Sequence, residues 1–240
     1  MSMKVFDHEA ERIRKAYAHR DASGKDALYV WSRPEVLLSH YRFRVAVTQA
    51  LAKIGWSDWA NKDCLDVGCG YGGWLRTIQE WGGKAPRLHG TDILPDRIAR
   101  ARELSPNLDF FVSDSWPMPL QDKSMDFISA HMVFSSILNK TAREKLAFEM
   151  QRVLRDDGVI LIYEFRISDP RNPDTIGIGK KEMSRLFPQH ELRMQTVTLA
   201  PPIFRRLAKW SPLIAHMTEV LLPFLRTHAV FTLKQSKQKK

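Results

Sequence analysis

The chain has 240 residues, 44% hydrophobic and 27% charged, a composition that can bury a full core and excludes a disordered or fibrous protein. Thirty-seven lysines and arginines against 27 acids give a net charge of +10, and the two cysteines, Cys64 and Cys69, have neither disulfide-framework nor zinc-site spacing, so no metal site is expected. No run of about 20 uninterrupted apolar residues predicts a membrane-crossing helix, and residues 1–15 lack the apolar core of a signal peptide, so the expected location is cytoplasmic.

Residues 1–60 read as a helical cap. Ser32-Arg33-Pro34-Glu35 has the form of a capping box, and Val36, Phe43, Val47, Leu51 and Ile54 share one helical face, which Gly55 closes. From residue 61 the rhythm changes. Strands are predicted at Cys64–Val67, Leu88–Thr91, Leu108–Val112, Met125–Ala130 and Val159–Tyr163. Helices fall between them: one carries Trp74, Ile78 and Trp81 and ends at Gly82-Gly83, one covers Pro95–Leu104, and one covers Thr141–Leu154 with Gly158 as its stop. Such alternation predicts α/β architecture with a parallel sheet and right-handed crossovers. The last third differs, with a short helix at Lys180–Phe187 and strands at Leu192–Leu199 and His228–Leu233. Between those strands lies a proline-punctuated apolar insert at about 201–226, so the expected organisation is a cap, 1–60, and one domain, 61–240, that contains the insert.

The densest signal is Asp66-Val67-Gly68-Cys69-Gly70-Tyr71-Gly72-Gly73 at the end of the first strand. Glycines there allow a sharp turn into a helix and close approach of a ligand to the main chain. Gly68, Gly70 and Gly73 formally match a dinucleotide fingerprint, and the acid Asp92 ends the next strand as that fingerprint requires, which leaves a nicotinamide-dependent oxidoreductase as an alternative. Asp66 argues against it. A carboxylate beside the loop repels a pyrophosphate but suits a ligand bearing an ammonium and a sulfonium.

In these residues the chain resembles the class I S-adenosylmethionine (SAM)-dependent methyltransferases of type 11. Asp66, Gly68, Gly70 and Gly72 meet the family's first motif, Asp92 in Gly90-Thr91-Asp92-Ile93 matches its ribose-binding acid, and Ser113-Asp114-Ser115-Trp116 matches its adenine-facing turn. The stretches Pro119–Phe127 and Glu149–Gly158 also look like the family. The resemblance implies a doubly wound, seven-stranded, mostly parallel sheet with an antiparallel last strand, SAM as cofactor, and a cofactor site made by Asp66, Gly68, Cys69, Gly70, Asp92, Ile93, Asp114, Ser115, Trp116 and His131.

His131 ends the fourth strand at the rim where an acceptor should lie, and it is the candidate general base for an oxygen or nitrogen acceptor. Glu164 and Arg166 leave the fifth strand in the same direction, able to bind an acceptor or to pair with each other, and His40 and Tyr41 are weaker candidates on a helix expected to close over the cofactor. His131-Met132-Val133-Phe134 replaces the Asn-Pro-Pro-Tyr tetrad of amino-methyltransferases that act on DNA bases or glutamine, so no specific nucleic acid is expected. The chain also looks similar to bacterial methyltransferases of surface-glycan and secondary-metabolite pathways in Val133–Ile137 and Arg171–Asp174, which points to a small-molecule or glycan acceptor. From Ala200 onward eight basic residues face one acid, Glu219, and hold +7 of the net charge. Ile203, Phe204, Leu207 and Trp210 share a helical face there. The expectation is a flap that walls the acceptor pocket, with peripheral membrane contact, or a non-catalytic protein docked on membrane or nucleic acid, as alternatives. The last residues, 234–240, read as a solvated tail.

Overall fold

A computed structural model describes residues 2–22, 32–113 and 117–236. Two helices, α1 (Ser2–Ala22) and α2 (Pro34–Ala52), precede the alternating part. Then come β1 (Cys64–Val67), α3 (Gly73–Glu80), β2 (Leu88–Asp92), α4 (Pro95–Leu104), β3 (Asp109–Val112), β4 (Met125–His131), α5 (Lys140–Val153) and β5 (Leu154–Phe165). The last third holds α6 (Lys180–Leu186), β6 (His190–Leu199), α7 (Pro201–Trp210), α8 (Pro212–Leu221) and β7 (Arg226–Gln235). The insert is thus a helical hairpin, with the Ser211 side chain capping the first turn of α8.

The seven strands lie in the order β3-β2-β1-β4-β5-β7-β6, all parallel except β7, which runs antiparallel to both of its neighbours. Strand side chains alternate between two faces, and both are covered. Leu65, Val67, Ile128, Ala130, Ile160 and Ile162 pack with Ala10 and Ile13 of α1 and with α5 and α6. Cys64, Phe127, Val159, Leu161 and Val230 pack with Val47 and Leu51 of α2, Leu75 and Ile78 of α3, and Ile98 of α4. This is the expected doubly wound sheet.

Two local expectations are corrected. Ser32 does not cap α2: the N-cap is Arg33, in extended conformation with no side-chain cap bond, because Pro34 at the first turn already supplies the helical φ and lacks an N–H to satisfy. Gly158 does not end α5. That helix passes directly into β5 at Leu154, and the register shifts between the Met125–Leu154 and Phe127–Val159 pairs. Gly158 sits inside this irregularity, where a Cβ would come within 2.7 Å of Leu154 Cδ1 and 2.9 Å of the Arg155 carbonyl.

Candidate active site

The carboxyl ends of β1, β2 and β4 open into a cleft of about 800 Å³, counting the part continuous with solvent. Its floor is the glycine loop. Gly68 and Cys69 donate their N–H groups to the Thr91 carbonyl at 2.7 and 2.9 Å, which pins the loop to the end of β2. Gly70 donates to Asp92 Oδ2 at 2.9 Å, while Leu94 donates to Oδ1 at 3.0 Å. Asp92 is therefore held rigid by two main-chain donors, and burial pushes its carboxyl above the ordinary carboxylate range despite them. Gly68 has a φ of +69°, and a Cβ on it would lie 2.4 Å from Val133 Cγ2. Only glycine fits where the backbone faces the cleft.

Of the residues singled out from sequence, Gly68, Asp92, Ile93 and His131 line this cleft. Asp66, Cys69 and Gly70 are not among its lining residues. Asp66 lies behind the loop, accepts the Ser129 hydroxyl at 2.7 Å, and is pushed up to about 7 by burial. Its charge therefore acts on the cleft from behind the loop rather than by contact, close enough to the cleft-lining Asp92 for that carboxylate to raise it further. Cys69 is buried and its thiol is pushed up by that burial, which removes it as a nucleophile. Asp114, Ser115 and Trp116 lie outside the described residues, as does the end of the basic tail. Ser113, just before them, does line the cleft, and its N–H donates to the Asp92 carbonyl at 3.1 Å.

His131 stands in an aromatic cage. Its ring meets Trp74 at 4.7 Å, Phe43 at 5.3 Å and Tyr163 at 6.3 Å between centroids, each at a steep angle. Burial drives its pKa down to about 3, and its buried Nε2 has no hydrogen-bond partner. The imidazole is neutral at physiological pH and a poor proton acceptor, so the geometry supports a wall residue more than a base. The next residue, Met132, has a φ of +60°, and its N–H donates to the Tyr163 carbonyl at 2.8 Å. A methionine in the left-handed region at a cleft rim is the kind of strain found at binding sites. Glu164 and Arg166 do not pair. Glu164 is fully buried, accepts the Phe134 N–H at 2.6 Å and so shapes the turn after β4, whereas Arg166 reaches the carbonyls of Arg226 and Phe224.

The helix that closes over the cleft is α1, not the one bearing His40 and Tyr41. Ala10, Ile13 and Tyr17 line the cleft at helical spacing. Glu9 accepts the Leu138 N–H at 2.6 Å, Arg12 bonds to Glu9 and to the Ser136 carbonyl, and Tyr17 stacks 4.4 Å from the Arg97 guanidinium. The i, i+3, i+7 spacing of this stripe is a signal already present in the sequence of residues 10–17. On the other side α2 packs near β6, β7 and α7, where Phe43, Val197, Thr198 and Phe204 line a second, smaller cleft beside the buried Arg42–Glu219 pair. Thr198 there also has a positive φ, +61°, and its Oγ1 lies 2.9 Å from the Tyr163 hydroxyl.

A doubly wound sheet in this strand order, with its glycine loop and acid at the ends of β1 and β2, is the fold of the class I, SAM-dependent methyltransferases. Residues 64–158 match the model of a methyltransferase domain, and the sheet around them has the strand order of that fold. The cofactor of the class is SAM. The ubiquinone/menaquinone biosynthesis C-methyltransferase UbiE of Campylobacter jejuni is 30% identical over 104 residues, which are 42% of this chain and 43% of that protein, so the match spans less than half of the relative. A SAM-dependent methyltransferase from Archaeoglobus fulgidus superposes with a TM-score of 0.57 at 14% identity, covering 80% of this chain and 94% of that one. The [4+2]-cyclase SpnF superposes with a TM-score of 0.54 at 16% identity, covering 79% and 80%. At such identities the likeness is one of fold.

The cleft suits the cofactor of the class on three counts. Gly68 leaves the main chain bare where a side chain would fill the cradle. Asp92 keeps lone pairs free beyond its two main-chain donors. Thr91 Oγ1, on another cleft-lining residue, is buried without a partner.

Proposed function

We propose that the main cleft binds SAM and that the protein transfers its methyl group to a small organic acceptor. The observation that carries this is the clasp of Asp92 on Gly70, which fixes an acid at the β2 end beside a bare glycine turn. Asp92 would accept the ribose hydroxyls, Gly68 and Ser113 would lie along the nucleoside, and Ala10, Ile13 and Tyr17 would cover it from above. Asp66, Cys69 and Gly70 would support the loop from behind, and Asp114, Ser115 and Trp116 are assigned to the adenine by their place in the motif. Bound there, SAM would supply an electrophilic methyl carbon with a neutral thioether as the leaving group.

This chain's contribution is then alignment and exclusion of water. His131, Phe43 and Tyr163 would form the wall between the two clefts, with the acceptor entering from the side of α2 and the α7–α8 hairpin. The helices of 1–60 and the insert thereby serve one domain: α1 closes the cofactor side and α2 with the hairpin closes the acceptor side. A neutral, weakly basic His131 suits an acceptor whose attacking atom needs no strong base. An electron-rich carbon meets that condition, in keeping with the C-methyltransferase named among the relatives, and a neutral amine does too, because in both the proton is lost only after the new bond has formed and can pass to solvent from the acidic product cation. A hydroxyl, a glycan hydroxyl included, needs a base that none of the residues assigned to this wall supplies.

Calorimetry with SAM and with S-adenosylhomocysteine tests the reading. Saturable binding of both is expected, and absence of both overturns it. Incubation with methyl-labelled SAM and fractionated cell extract then identifies the acceptor, and labelling on a hydroxyl oxygen would overturn the view of His131.

A further inference from the structure

The α7–α8 hairpin is amphipathic in the wrong sense for a helix pair that only covers a core. In α8 the buried positions are Ala215 and Glu219, one turn apart. The opposite face carries Leu213, Met217, Val220 and Leu221 at i, i+4, i+7 and i+8, all exposed, with Leu213 and Leu221 each 66% exposed. Trp210, at the end of α7, is 88% exposed, and Phe224, just after α8, is 69% exposed. Large apolar side chains clustered on one outer face mark a surface that something covers.

The charges beside this stripe select the occupant. Phe204 and Ala208 face inward on α7, so Arg206 and Lys209 fall on its outer side and both are exposed. The single acid between residues 200 and 225, Glu219, is turned inward and paired with Arg42 at 2.8 Å. The outer face is therefore apolar and cationic and carries no carboxylate of its own segment. A second copy of the chain packed about a two-fold axis would set this cationic face against itself with no acid to neutralise it. An anionic lipid surface matches both components: the acyl region takes the leucines, the headgroup layer takes Trp210 and Phe224, and the phosphates take Arg206 and Lys209. We propose that the outer face of the α7–α8 hairpin docks on the surface of an anionic membrane, lying in the interface. Among the described residues no helix is long and apolar enough to cross a membrane, so the contact is peripheral. The inference stands independently of the methyl-transfer reading, because its test needs no turnover. It also sets Phe204, a wall of the smaller cleft, directly beneath the docked face.

The test is flotation of the protein with vesicles of phosphatidylcholine, with and without phosphatidylglycerol. Binding to the anionic vesicles is expected, weakened by salt, with little binding to phosphatidylcholine alone. Quenching by brominated acyl chains should be lost in Trp210→Ser. The pair Leu213→Glu with Leu221→Glu, and separately Arg206→Glu with Lys209→Glu, should each lower partitioning by about tenfold or more while leaving circular dichroism and thermal unfolding unchanged. Three results would overturn the proposal: no binding to anionic vesicles, equal binding by the variants, or a dimer in sedimentation velocity that the leucine variants dissociate while vesicle binding stays absent.

Discussion

The Asp92 carboxylate accepts the Gly70 main-chain N–H at 2.9 Å, so the acid that ends β2 holds the loop that follows β1. Two motifs 22 residues apart thus act as one unit. Asp92→Ala removes the proposed ribose acceptor and releases the loop together. SAM affinity should fall by at least about tenfold in calorimetry, since lost bonds to a charged acceptor cost about 1.5–3 kcal/mol. Affinity unchanged within error would refute the assignment of Asp92.

The glycine loop can be tested for which glycine needs its missing side chain. Gly68 and Gly70 both have positive φ, but a Cβ meets Val133 Cγ2 at 2.4 Å at the first and nothing within 4 Å at the second. Gly70→Ala should cost about 1 kcal/mol of stability from backbone strain, and Gly68→Ala about 1–3 kcal/mol more from overpacking. Val133→Ala should recover part of the Gly68→Ala loss in thermal unfolding and none of the Gly70→Ala loss. Equal costs at the two sites would count against the cradle.

Burial raises Glu164 to about 7 from the ordinary 4.5. Between those values the folded chain holds the proton that the unfolded chain releases. Its contribution to stability therefore falls as pH rises through that window and is gone above about 7. Glu164→Gln keeps an oxygen for the Phe134 N–H without the charge. Relative to the parent, the variant should gain on the order of 2–3 kcal/mol between about pH 5 and pH 8 in urea unfolding. Asp66, raised in the same sense, and His131 and His228, lowered by burial, cancel in that difference. A difference that does not change with pH would mean that Glu164 is ionised throughout.

Glu9 fastens α1 over the cleft through the Leu138 N–H and Arg12. Glu9→Ala should speed SAM dissociation several-fold in stopped flow and change association less, as expected for a loosened cover. Equal effects on both rates would place Glu9 outside the closure.

The strands and helices were legible because periodicity switches between two and 3.6 residues and because Pro95 and Gly82-Gly83 punctuate it. Gly68 was legible because a strand running into glycines marks a tight turn open to a ligand, and Asp92 because it is the acid that ends the next strand. What sequence could not supply were partners brought from far along the chain. Glu164 and Arg166, two apart on one strand, invite pairing, yet each finds a main-chain partner, Phe134 and Arg226, 30 and 60 residues away. His131 read as a base at its ordinary pKa, and only the convergence of Phe43, Trp74 and Tyr163 from three other elements desolvates it. The place of Asp66 just before the glycines predicts a carboxylate facing the ligand, but strand alternation and Ser129 turn it behind them.

The position of β7 bears on how the chain is made. It is the last strand along the chain yet lies between β5 and β6, pairing with Val159–Phe165 on one side and His190–Leu199 on the other. A ribosome delivers β5 about sixty residues before the strand that covers its edge. Until residues 226–235 emerge, that edge is a row of unpaired N–H and carbonyl groups flanked by Ile160 and Ile162. A nascent chain stalled in the α7–α8 hairpin should thus be the most aggregation-prone species this protein passes through, and a natural client for a chaperone during synthesis.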